Sequence, residues 1–242
     1  MTKWVLDPVD ALDSPHAGGK ARALARAARG GLSVPAWVVL SDTAFLQSNP
    51  SALPGMPEGE VRSAIDAAVR TLCPMGERLA VRSSACDEDG VQHSFAGQLA
   101  SFLNVAPEDA AARVRDVWRS AFDERALRYR RERGLPASPG PPAVILQRMV
   151  EARAAGVAFS ADPVSGRRGV AVVSAVRGLG AALVSGEVDA HTWHVCRDGT
   201  ILERHIPKTS RKIDGPVLTD EQVQEVAALA ATAERLFGCP QD

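Results

Sequence analysis

The stretch that decides the fold is LAVRSSACDEDGVQHSFAGQLASFLNV, running from Leu79 to Val105. Leu79-Ala80-Val81 is a short apolar run and reads as the end of a buried strand. Arg82 follows at once, then Ser83, Ser84 and an acidic, glycine-containing loop with Ser94-Phe95-Ala96-Gly97-Gln98 at its tip. Leu99 to Val105 returns as strand-like sequence. A guanidinium at a strand end, beside a small-residue loop rich in backbone N–H groups, suits a polyphosphate. The amides hold oxygens and the arginine meets them as a planar fork. A polar hairpin around a buried ion pair is the plain alternative.

Upstream, Trp4-Val5-Leu6 reads as an edge strand. His16-Ala17-Gly18-Gly19-Lys20 opens a helix over Ala21–Arg29, with Ala and Leu at helical spacing and arginines outward; Gly30-Gly31 stops it. Glycines that allow close approach, then a lysine at a helix start, suit an anion. Val34 to Leu40 reads as a strand, Glu58 to Leu72 as an amphipathic helix, and residues 107–122 and 123–133 as two more helices. Trp118, Phe122 and Tyr129 read as core residues. Gly134 to Pro142 is a Pro/Gly-rich linker and the expected domain boundary. Beyond it, strands are expected from Ala143, over 156–160 and 170–176, at 184–186, and over 191–196 and 201–205, in a mixed or antiparallel sheet. A helix is expected over 219–237.

Charge is nearly balanced, with 28 basic and 29 acidic residues, which argues against nucleic acid or an anionic membrane as a general partner. No apolar run reaches the roughly 18 residues of a membrane helix, and the N-terminus carries no signal-peptide pattern. Cys73, Cys86, Cys196 and Cys239 lack metal-ligand spacing and read as free thiols of a cytoplasmic protein. An adenine ring needs an apolar slot and a strand edge. Gln147-Arg148-Met149-Val150-Glu151, at the end of an apolar run, suits that; a plain core strand is equally consistent with the pattern.

Arg82-Ser83-Ser84-Ala85, Glu88-Asp89 and Ser94-Phe95-Ala96-Gly97 together resemble the nucleotide-binding domain of the phosphoenolpyruvate synthase and pyruvate phosphate dikinase family, a domain that rifampicin phosphotransferases also carry. Gly18-Gly19-Lys20, Gln147-Arg148-Met149-Val150, Gly156-Val157 through Gly166, and Gly178-Leu179-Gly180 follow in the family's order. The resemblance implies an α+β ATP-grasp fold, two lobes enclosing a nucleotide cleft, here residues 1–136 and 143–242. It implies that Lys20 and Arg82 are the catalytic phosphate ligands and that Ser94, Ala96, Gly97 and Gln98 cap the phosphates. Gln147 and the backbone of Met149, Val150 and Glu151 would hold adenine. ATP and Mg2+ are the implied cofactors, with Asp242 as a metal ligand.

Two departures matter. Ala181 stands where the family has glutamate after Gly-Leu-Gly. The chain stops at Asp242, where the family continues into an Asp-Ile-Glu-Trp strand and a Leu-Gln-x-Arg segment that complete the metal and phosphate site. The histidine-bearing domain and the phosphoenolpyruvate-binding barrel are not in this sequence. The expectation is therefore an ATP-binding domain that passes phosphate to a histidine on a separate or missing domain, inactive as this chain alone. The alternatives are a catalytically dead nucleotide-binding regulatory or assembly module and a kinase acting directly on a small molecule.

Overall fold

The computed structural model describes residues 3–48, 54–85, 99–132, 134–136, 140, 142–207 and 216–242, with backbone alone at 89–90 and 93–94. The chain divides into two compact units, Met1–Val150 and Glu151–Asp242.

In the first unit the elements run β1 (Val5–Leu6), α1 (Pro8–Asp13), α2 (Gly18–Arg29), β2 (Trp37–Leu40), α3 (Asp42–Ser48), α4 (Gly59–Leu72), β3 (Leu79–Ser84), β4 (Asp89–Gly90), β5 (His93–Ser94), β6 (Ser101–Val105), a 3-10 turn at Pro107–Asp109, α5 (Ala110–Ser120), α6 (Glu124–Glu132) and β7 (Ala143–Arg148). Five of the strands form one antiparallel sheet in the order β1-β2-β7-β3-β6, and β4 and β5 pair separately. The central strand, β7, opens with a run of five buried residues, as a strand covered on both faces should.

Side chains alternate between the sheet's two faces. One face carries Leu40, Leu79, Val81, Val144 and Leu146, packed under α3, α4 and α5 with Phe45, Ile65 and Trp118. Trp118 is fully buried and meets Phe45 edge-on at 5.4 Å between ring centroids, and Phe122 stacks on Phe45 at 5.8 Å. The other face carries Trp37, Val39, Ala143 and Ile145 and is covered by α1 and α2 through Ala11, Ala17, Ala21 and Ala25. Small alanines let α2 lie close to the sheet.

In the second unit β8 (Ala154–Phe159), β9 (Val170–Arg177), α7 (Ala181–Val184), β10 (His191–Cys196), β11 (Ile201–His205) and α8 (Asp220–Phe237) make a four-stranded antiparallel sheet, order β11-β10-β9-β8, with a helix on one face. Trp193, Val173 and Val195 pack against Val223 and Ala227 of α8. That helix opens on a reciprocal cap. Thr219 Oγ1 accepts from the Gln222 amide at 3.3 Å, and the Thr219 amide donates to Gln222 Oε1 at 2.9 Å. It closes on Gly238 at φ +78.

Two expectations change. The strand from Ala143 does not open the second unit: β7 lies between β2 and β3, and the division falls after Val150 rather than in the 134–142 linker. A buried apolar run shows that a strand is central, not which neighbours it pairs with. Residues 184–186 form no strand; α7 and a turn occupy that stretch. The second sheet is wholly antiparallel, one of the two forms expected.

Candidate functional site

Register puts Arg82 on the sheet face covered by α2, the helix that carries Lys20. On β3, Arg82 stands opposite Ile145 of β7, and Ala80 opposite Gln147. Arg82, Ile145 and Gln147 therefore share the face that α2 covers. Lys20 lies on α2, one turn before Leu24, whose side chain packs against that same cluster. Both Lys20 and Arg82 are half-buried. Among the described residues no hydrogen bond or ion pair engages the Arg82 guanidinium.

The start of α2 is fastened to the end of β3. The Ser84 hydroxyl accepts from the Ala21 amide at 3.0 Å and donates to the Ala17 carbonyl at 2.8 Å. Gly19 N–H donates to the Ala85 carbonyl at 3.2 Å. Gly18, at φ +75, sits so close that a Cβ there would lie 1.8 Å from the Ser84 carbonyl oxygen. The close approach expected of these glycines is thus made to β3 rather than to an anion. Two donors of the first helical turn, the Gly19 and Ala21 amides, are thus engaged by the protein itself. The loop before α2 is held by His16, whose Nδ1 donates to Asp42 Oδ1 at 2.8 Å.

Of the expected capping residues, Ala96, Gly97 and Gln98 lie outside the described residues, and Ser94 is described by its backbone, in β5. The loop's return is anchored: the Ala100 amide donates to Ser120 Oγ at 2.9 Å, and that hydroxyl donates to the Val117 carbonyl at 2.7 Å.

The expected base-binding residues fall mainly in the first unit. Gln147 is buried, and its Nε2 donates to the Pro35 carbonyl at 3.4 Å. The Met149 amide donates to the Arg78 carbonyl at 2.8 Å. Its N–H is therefore unavailable to a base, and the remaining backbone donors of the stretch belong to Val150 and Glu151, both exposed. Met149 is four residues beyond Ile145, the partner of Arg82, or about 13 Å along the strand. Glu151 and Asp242 belong to the second unit. Asp242 is exposed, and among the described residues no three His, Cys, Asp or Glu side chains gather in a way that could hold a metal. Ala181 opens α7 and is exposed.

Sequence reasoning passed over Ser84 and Ser120 as members of motifs. For Ser84 a signal was present: it stands two residues after Arg82 in a strand, hence on the same face, pointing at the helix that carries Lys20. Ser120 gives none, because its partner is 20 residues away.

Residues 53–242 match the family described as pyruvate phosphate dikinase, AMP/ATP-binding domain. The chain belongs to this family. Within it, the chain is 35% identical to the prodigiosin synthesizing transferase PigC of Serratia marcescens, over 94% of this chain and 30% of that protein. It is 42% identical to a rifampicin phosphotransferase of a Streptomyces species, over 76% of this chain and 23% of that protein. It is 35% identical to a probable phosphoenolpyruvate synthase of Archaeoglobus fulgidus, over 68% of this chain and 24% of that protein. This dikinase-family domain thus spans less than a third of the length of these relatives. No helix among its described residues is long and apolar enough to cross a membrane.

Proposed function

We propose that this chain is the ATP-binding domain, of ATP-grasp type, of a phosphoenolpyruvate synthase-like phosphotransferase. It binds ATP and supplies phosphate to a histidine on another domain or partner chain. The observation that carries this reading is the placement of Lys20 and Arg82 on the same side of one sheet, in a chain whose family is an AMP/ATP-binding domain. Phosphoryl transfer needs positioning and charge neutralisation more than covalent participation. An ammonium and a guanidinium supply both: the lysine as a movable point charge, the arginine as a fixed fork. The backbone past Met149 receives the base, at the far end of β7 from the phosphates.

The relatives' names point to different products, although all contain a stretch similar to this domain. That supports an acceptor located outside the domain. Magnesium enters the proposal as the counter-ion of ATP, without an assigned protein site. Cys73, Cys196 and Cys239 are free thiols, in keeping with a cytoplasmic setting.

Ala181 favours a second reading, nucleotide binding without transfer. The two are separated by incubating the chain with ATP, magnesium and a histidine-bearing domain taken from one of the relatives. Phosphohistidine formation that Arg82→Ala abolishes supports transfer. Tight ATP binding with no phosphohistidine supports the second reading. No ATP binding at all overturns both.

A further inference from the structure

The contact between β3 and α2 has an unusual form. In an ordinary helix the Ala21 amide would donate directly to the Ala17 carbonyl, four residues earlier. Here the Ser84 hydroxyl stands between them, accepting from one at 3.0 Å and donating to the other at 2.8 Å. A side chain of the sheet is built into the first rung of the helix. Ser84 is fully buried. It sits two residues after Arg82 on the same strand face, and its two partners bracket Lys20 on α2.

The fit is matched from the other side. Gly18 packs its bare Cα against Ser84, where a Cβ would lie 1.8 Å from the carbonyl oxygen and 2.6 Å from the hydroxyl. The hydroxyl and the missing Cβ together fix how closely, and at what angle, α2 meets β3. No residue of α2 itself caps this helix start with a side chain.

We propose that Ser84 is a positioning residue that sets the spacing between the Lys20 ammonium and the Arg82 guanidinium, and so the affinity for the phosphate chain rather than for the base. The proposal rests on the assignment of those two cations to phosphates. Ser84 itself need not touch the phosphates, because its one O–H is already donated to the Ala17 carbonyl at the start of α2.

The test is a double-mutant cycle read by calorimetry with ATP and with adenosine, on the full chain. Ser84→Ala is expected to weaken ATP binding about tenfold while leaving adenosine binding within about twofold. In a Lys20→Ala background, the same Ser84→Ala substitution is expected to change ATP affinity by less than about twofold, since the cation it positions is gone. Ser84→Thr, which keeps the hydroxyl, is expected to recover more of the ATP affinity than Ser84→Cys. Equal losses for ATP and adenosine, or an undiminished loss in the Lys20→Ala background, would overturn the positioning role. If Ser84→Ala proves too unstable to titrate, Ser84→Thr and Ser84→Cys, each in both backgrounds, decide the matter. If Lys20→Ala and Arg82→Ala bind ATP like wild type, the phosphate assignment is what fails.

Discussion

Gly18→Ala probes the α2–β3 junction most sharply. The new Cβ would lie 1.8 Å from the Ser84 carbonyl oxygen and 2.5 Å from its carbonyl carbon. Both are backbone atoms, so no rotamer change relieves the clash. Helix and strand must part by about 1.2 Å merely to reach the closest approach that such atoms tolerate. Opening by that amount stretches the two Ser84 hydroxyl bonds, now 3.0 and 2.8 Å, beyond useful length. Their loss costs about 1–3 kcal/mol together. Holding alanine at φ +75 adds roughly 1–2 kcal/mol. The total is about 2–5 kcal/mol, a large share of a domain's net stability. Gly31→Ala is the control: it sits just past the other end of α2 at φ +85, with nothing within 4 Å of its Cβ. It should cost only the conformational part, about 1–2 kcal/mol. Urea unfolding followed by circular dichroism measures both. If Gly18→Ala costs no more than Gly31→Ala, the close approach is not what requires glycine, and the reasoning is refuted.

Other expectations are simpler to state. Trp118→Ala, at a fully buried position against Phe45, should destabilise the first unit by about 3–5 kcal/mol; a loss below 1 kcal/mol in urea unfolding would contradict that packing. Arg197 donates to the Ser160 and Arg168 carbonyls at 3.0 and 2.7 Å and to Glu234 of α8, whose carboxyl it holds below the usual range. Arg197→Ala should cost about 1–3 kcal/mol and raise the Glu234 pKa, visible by NMR titration. His191 is buried beside Trp193 with neither ring nitrogen hydrogen-bonded among the described residues. Burial, then the nearby Arg177, push its pKa down. The unfolded chain therefore takes up the proton first, so the stability that neutral His191 provides is complete above the ordinary histidine value of about 6.5 and lost as pH falls below it. His191→Phe should flatten the fall in urea midpoint between pH 7.5 and 5.5; an unchanged slope would contradict the assignment.

The elements with clear periodicity were legible in the sequence. The strands at 191–196 and 201–205 and the helix over 59–72 lie where alternation and amphipathicity put them. α1 was missed although Asp7-Pro8 is a helix-start signal, with the Asp7 carboxylate accepting from the Val9 and Asp10 amides; six residues are too few to show a period. α3 was missed for the same reason. Sheet order was not readable at all. The Ala143 strand pairs with strands more than 50 residues earlier, and nothing local encodes that. In the candidate site, Lys20 and Arg82 could be named from their motifs, whereas their common face follows from the register of β3 and the packing of α2 on that face. At the start of α2, the Ala21 amide is taken by a long-range partner, Ser84, 63 residues away.

The most direct test of the central claim is an affinity series: adenosine, AMP, ADP and ATP titrated into wild type, Lys20→Ala and Arg82→Ala. Lys20 and Arg82 as phosphate ligands predict that wild-type affinity climbs roughly 100-fold from adenosine to ATP, and that each variant loses most of that climb while binding adenosine as wild type does. The same climb in all three proteins would contradict it.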